Sequence, residues 1–237
     1  MGRAYEVRKA SIQKTGAAKA KLYSMYAREI YQAAKSGGTE LESNAVLKRL
    51  VEKARESQVP NDIIKRAIDK VNSGVDESYM TVSYELFGPS GSTIIVECLT
   101  DNVNRSVSNL RAVLNKTGVK MGAQGSVNYQ YDNLCVVGFN GLNMEEVLDA
   151  LILNEIDVND IEEDENGLVV YGKPTDLYKI KETILGLKQV EFNLDEIGMF
   201  PKETITLAGE DLEVFNKFLT MIEEVEDVKT VYHNVEL

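Results

Sequence analysis

The string Thr100-Asp101-Asn102-Val103-Asn104-Arg105-Ser106 sets a carboxylate, two amides and a guanidinium where a strand-like run ends and a helical pattern begins. Such a junction exposes backbone N–H groups that can meet an anion. Asp101, Asn102, Asn104 and Arg105 are therefore a candidate anion or partner loop. The competing role is structural: Asp101 or Asn102 caps the helix and Arg105 pairs locally. A hydrolase using this loop is the enzymatic alternative. A second chemistry is electrostatic. Arg3, Arg8, Lys9, Lys14, Lys19 and Lys21 crowd the first 21 residues against Glu6 alone, and Lys48, Arg49, Lys53, Lys65 and Arg66 follow on helical patterns. Phosphates attract such side chains whatever the base sequence.

Other chemistries find fewer residues. Gly88-Pro89-Ser90-Gly91 lacks the Gly-Lys-Ser/Thr ending of a phosphate loop and precedes a strand pattern, so it reads as a hairpin turn. Glu162, Asp164 and Asn166 alternate before Gly167 like half a calcium loop, but Lys173 stands where the closing carboxylate belongs. Glu145-Glu146 and Glu223-Glu224 fall at a helix start and a helix end, where solvated charge explains them. The single histidine, His233, would have to serve any zinc site, triad or proton shuttle alone. Cys98 and Cys135 lie inside apolar runs and read as buried free thiols of a reducing cytoplasm. No catalytic residue, metal site or cofactor is expected.

The 237 residues carry 26 basic and 38 acidic side chains, a net charge of −12. The division is uneven: residues 1–70 hold 15 basic and 8 acidic groups, or +7, and residues 71–237 hold 11 and 30, or −19. Apolar runs fall far short of the ~20 residues a membrane span needs. The basic start has no continuous apolar stretch of a secretory signal, which points to a cytoplasmic protein.

Three amphipathic patterns position the cations over residues 17–72. Leu22, Met25, Tyr26, Ile30 and Ala33 form the first stripe, ending at Gly37-Gly38. Val46, Leu47, Leu50, Val51 and Ala54 form the second after Ser43 as N-cap; Ile63, Ile64, Ala67, Ile68 and Val71 form the third after Pro60-Asn61. The period then changes. Strands over 79–87 and 92–99 flank the Gly88–Gly91 turn, a helix capped by Asn102 buries Val103, Val107, Leu110 and Leu114 and stops at Gly118, and a strand follows over 126–131. Strand 134–139, helix 144–154, strands 156–162 and 168–172, helix 176–187 and strand 189–197 spell a βαββαβ unit. Strand 203–207, helix 210–224 and strand 228–235 then complete the earlier sheet.

The expected fold is α+β: a basic helical domain over 1–77, an α/β domain made of 78–133 and 199–237, and a ferredoxin-like α/β domain over 134–198 inserted in it. A simple string of three domains is the alternative. Tyr84 to Gly118, YELFGPSGSTIIVECLTDNVNRSVSNLRAVLNKTG, with Gly125-Ser126-Val127 beyond it, resembles the signature region of the YebC/PmpR family. The runs AREIYQAAKSGG and VLKRLVEKARESQVPNDIIKRAI resemble its N-terminal helices, while the first residues, GRAYEVRKASIQKTGAAKAK, depart from the usual His-Ser-Lys-Trp-containing start.

The resemblance implies a cytoplasmic three-domain protein without enzymatic activity. Bacterial members are described as DNA-binding transcriptional regulators, and a related mitochondrial protein activates translation of cytochrome oxidase subunit I. The expectation is a regulator of gene expression binding DNA through its basic module. The alternatives are an RNA- or ribosome-associated translation factor, or a ligand-sensing ferredoxin-like module. The acidic domains are candidates for contact with a protein partner.

Overall fold

The computed structural model describes residues 17–73, 77–164 and 167–236. Arg3, Arg8, Lys9 and Lys14 lie outside them. The described chain divides into two compact units, one spanning 17–124 and 208–231, the other 125–207 and 232–236.

In the first unit, helices α1 (Ala17–Gly37), α2 (Ala45–Glu56) and α3 (Asn61–Asp69) bury a shared core of Ile30, Ala34, Leu47, Val51, Ala54 and Ile64. The expected stripes are right in period and turned at their edges: Leu22 is 37% exposed and Val46 64% exposed. Both sit at the N-terminal margin of a stripe, where the neighbouring helices no longer cover it. Asn44, not Ser43, caps α2. Its Oδ1 accepts from the Leu47 N–H at 3.0 Å while its Nδ2 donates to the carbonyls of Ala33 and Gly38. Ser43 instead donates to the Glu40 carbonyl. The amide wins because it can satisfy both a helix start and the end of the preceding helix. Gly37 leaves room for it, since a Cβ there would meet Asn44 Nδ2 at 2.6 Å.

The same unit carries strands β1 (Met80–Phe87), β2 (Thr93–Thr100) and β3 (Lys120–Met121), helix α4 (Val103–Thr117) and, near the C-terminus, α7 (Gly209–Glu223) and all but the last two residues of β9 (Val228–His233). Sheet order is β3-β1-β2-β9, with β1 and β2 antiparallel around a short 3₁₀ turn at Pro89–Gly91. Every β2 residue except Glu97 is buried, which requires cover on both faces; α1 and α4 both contact the strand. Asn102 caps α4 by accepting from the Arg105 N–H, and Gly118 closes it at φ +73°. The buried face is Ser106, Leu110, Val113, Leu114 and Thr117. Val103, expected inside, is 36% exposed. Ser106 occupies the inward position because its hydroxyl finds a buried acceptor, Asp227.

The second unit contains β4 (Tyr131–Phe139), α5 (Met144–Leu153), β5 (Val158–Asp164), β6 (Gly167–Gly172), α6 (Leu177–Leu187) and β7 (Phe192–Pro201). Its antiparallel sheet runs β5-β6-β4-β7, the strand order of a split βαβ unit. Cys135, Val137, Phe139, Leu151, Leu168 and Ile180 fill one sheet face. The strand expected over 126–131 is instead a 3₁₀ turn at Asn128–Gln130, and β4 starts at Tyr131. The strand expected over 203–207 shrinks to β8 (Ile205–Thr206), which pairs parallel with β10 (Val235–Glu236) rather than joining the first sheet. The Ile205 N–H donates to the Asn234 carbonyl, which directs it there.

Candidate nucleic-acid interface

Helix amphipathicity leaves the cations of the helical module on its outer faces. Lys19 on α1, Lys48 on α2, and Lys65 and Arg66 on α3 are exposed; Arg49 and Lys53 are half-buried. Lys48 pairs with Glu42 at 3.2 Å, and Arg66 pairs with Asp62 one turn earlier. Exposed pairs of this kind contribute at most ~1 kcal/mol, so phosphate oxygens can displace the carboxylates at small cost.

Lys21 behaves differently from its neighbours. Its Nζ donates to the carbonyl of Glu223 at 2.6 Å, and burial pulls its pKa below the usual lysine value. It caps the C-terminal end of α7, where helix carbonyls favour a cation.

The Asp101–Arg105 string acts within the fold. Arg105 pairs with Asp101 at 2.7 Å and reaches the fully buried Asp227 with Nε at 3.2 Å and Nη2 at 2.8 Å. Arg28 of α1 donates to the same carboxylate at 3.2 Å and also pairs with Glu226. Ser106 Oγ donates to it at 2.7 Å. Burial opposes the charge on Asp227, but the hydrogen bonds from Arg105 and Ser106 and the Arg105 charge outweigh it, holding the carboxyl below its usual range. Asn104 is exposed on the first turn of α4. Sequence reasoning missed Asp227 and Arg28, because neither stands in a motif and they meet across 199 positions of chain.

A cleft of about 620 Å³ opens on the helical module, walled by α1 and α3 and closed by the segment leading into β1. Tyr23, Tyr31 and Tyr79 line it together with Arg28, Arg66 and Lys70. Tyr31 and Tyr79 meet edge to face at 6.1 Å, and Arg28 lies 5.7 Å from the Tyr79 ring centre. Glu77 is neutralised inside it, with Lys70 at 2.6 Å and the Tyr79 hydroxyl at 2.7 Å. Those hydrogen bonds hold its carboxyl below the usual range, and burial together with the Glu77 contact pushes the Tyr79 phenol up to about 12.

Among the described residues no group of His, Cys, Asp and Glu side chains is arranged to hold a metal, and no helix is long and apolar enough to cross a membrane. His233 is buried, and burial lowers its pKa to about 4.

A helical module with an outer layer of cations, joined to antiparallel α/β sheets, defines an α+β protein with a charged head. Residues 3–74 match the family model described as the TACO1/YebC protein N-terminal domain, and residues 79–235 match that of the TACO1/YebC second and third domain. The chain belongs to the TACO1/YebC family. It is 42% identical over 238 residues to a protein of Marinobacter nauticus named "Probable transcriptional regulatory protein", covering 100% of this chain and 99% of the relative. A similarly named Vibrio parahaemolyticus protein is also 42% identical, with 100% of both chains covered. The crystal structure of a conserved hypothetical protein from Aquifex aeolicus superposes with a TM-score of 0.76 at 32% identity, covering 94% of this chain and 92% of that one.

Proposed function

We propose that this chain is a non-enzymatic cytoplasmic regulator of gene expression whose basic N-terminal module binds DNA through its phosphates. The observation that carries the reading is the segregation of charge, +7 over residues 1–70 against −19 over the rest. The names of the bacterial relatives support a role in transcription. Arg3, Arg8, Lys9, Lys14 and Lys19 supply the first attraction; Lys48, Arg49, Lys53, Lys65 and Arg66 extend it along the helices. Lys21 contributes through the fold of the module, given its bond to Glu223. The Asp101–Arg105 loop fixes the sheet to α1 through Asp227. In the same reading the chain forms domains 1–77, 78–133 with 199–237, and an inserted 134–198; the pairing of β9 beside β2 supports this nesting.

A second reading, RNA on the ribosome, is favoured by the acidic remainder. Over a Debye length of about 8 Å, its charge would be repelled by a long duplex and accommodated beside basic ribosomal proteins.

The test replaces Arg3, Arg8, Lys9, Lys14 and Lys19 with Gln, which leaves α1 and the Lys21–Glu223 bond in place. Loss of most affinity for duplex DNA at matched salt is the expected result. Retained affinity would sink the proposal, and co-sedimentation with ribosomes without a shifted promoter fragment would select the second reading.

A further inference from the structure

The tyrosine-lined cleft borders the core of the helical module and stays open to solvent. Ile30, Ala34, Leu47, Val51 and Ile64 fill the core; the cleft shares Ala67 with it and Tyr23, Ala27 and Ile63 with its margin, and opens along α1 where Ala20, Ser24 and Ala27 recur at helical spacing. Small side chains there keep open a space whose volume falls within the usual range of small-ligand sites. Aromatic rings bound it: Tyr23 on α1, and the Tyr31–Tyr79 pair.

Its charges select what can enter. Glu77 is already neutralised by Lys70, so the carboxylate does not repel an anion, and Arg66 carries a 73% exposed guanidinium at the edge. Arg28 contributes a cation against the Tyr79 ring. Residues 1–70 bear +7. With Lys70 on Glu77 and Arg28 on Asp227 and Glu226, the exposed Arg66 is the cation a ligand can draw on; a neutral metabolite would not use it, and an acidic peptide would leave the rings unused. A nucleotide unit uses both, with its planar base among the rings and its phosphate on Arg66.

We propose that this cleft receives an unpaired base of single-stranded RNA, with the adjoining phosphate held by Arg66. The assignment rests on the nucleic-acid reading above and names where within the module a single strand is distinguished from a duplex. A duplex keeps its bases stacked inside and must be locally opened before one can enter, whereas RNA loops present unstacked bases directly. Ser24 and Glu77 line the same cleft and offer acceptors to a ribose 2′-hydroxyl, which deoxyribose lacks.

Two variants separate the cleft from bulk charge. Ala20→Leu fills its mouth from an exposed helical position, and Tyr23→Ala removes a ring; neither alters net charge. Fluorescence anisotropy with a labelled single-stranded 12-nucleotide RNA, the same DNA sequence, and a duplex of that sequence provides the readout. The wild-type chain should bind the RNA strand more tightly than the DNA strand. Each variant should weaken the RNA strand by about tenfold, the scale of one lost base–aromatic stack, and leave the duplex within about twofold. Unchanged RNA-strand affinity in both folded variants would overturn the cleft while leaving the phosphate-binding module standing. Equal or tighter binding of the DNA strand by the wild-type chain would overturn its assignment to RNA. A wild-type chain that binds none of the three would overturn the module and the cleft together.

Discussion

Asp227 and Arg105 form a side-on pair in which Nε and Nη2 of the guanidinium meet the two carboxylate oxygens at 3.2 and 2.8 Å, with the Asp227 side chain wholly out of water. Arg28 approaches from α1, so one buried carboxylate ties α1, the start of α4 and the end of β9's approach segment together. A bidentate geometry with additional donors is what allows a buried charge to persist.

Removing that carboxylate takes away the buried partner shared by Arg28 and Arg105, although Arg105 is 42% exposed and keeps Asp101, and Arg28 keeps Glu226. Asp227→Ala should cost about 2 kcal/mol, measured by urea unfolding, below the cost of a fully buried pair because water screens Arg105. Ser106→Ala removes one donor and should cost about 1–3 kcal/mol. A loss below the experimental error in both variants would refute the clamp.

Histidine protonation should set the acid side of the stability curve. His233 has its folded pKa lowered to about 4 from an unfolded value near 6.5, so between those values the unfolded chain binds the extra proton. Stability should therefore fall as pH drops from about 6.5 to 4, by about 3 kcal/mol in full. Asp227, also depressed when folded, adds a loss at lower pH still. Urea melts at pH 6.5 and 4.5 on the parent and His233→Gln should show the slope shrinking in the variant.

Lys19 and Lys21 should separate affinity from stability. Lys19 is exposed, whereas Lys21 is bonded to the Glu223 carbonyl. Lys19→Gln should weaken nucleic-acid binding with an unfolding midpoint close to the parent. Lys21→Gln should lower stability by about 1 kcal/mol. The opposite pattern would show that the two residues have been misassigned.

Salt dependence gives a charge count independent of mutation. With about five phosphates neutralised on a duplex, the logarithm of affinity should fall against the logarithm of salt concentration with a slope near −4.5. A slope near zero would rule out phosphate contact as the source of affinity.

Both cysteines should be silent toward thiol reagents in the native chain. Cys98 and Cys135 are buried and in no disulfide, Cys135 donates to the Lys173 carbonyl, and burial pushes the Cys98 thiol up to about 12. A chromogenic disulfide at pH 8 should titrate neither until denaturant is added.

Much of this was legible along the chain because it depends on local spacing. Apolar recurrence located α1, α2 and α3, the Asn102 and Gly118 ends of α4 were readable from residue type, and the βαββαβ order predicted the alternation from β4 to β7. The charge division needed only counting. Stripe edges were less secure: Val103 and Val46 satisfy the helical period, but the neighbour that must cover them belongs to another part of the chain.

Sequence alone determined a basic helical head, an acidic α/β remainder and the kinds of side chain available for phosphate contact. Tertiary structure decided which cations are free to act: it turned Lys21 onto Glu223, committed Arg28 and Arg105 to Asp227, and drew Tyr23, Tyr31 and Tyr79 around one cleft. Periodicity is a property of neighbouring residues, whereas a buried ion pair or cavity arises when distant segments exclude water from the same place. The Lys21–Glu223 bond spans 202 positions, and no local spacing encodes a meeting at that range.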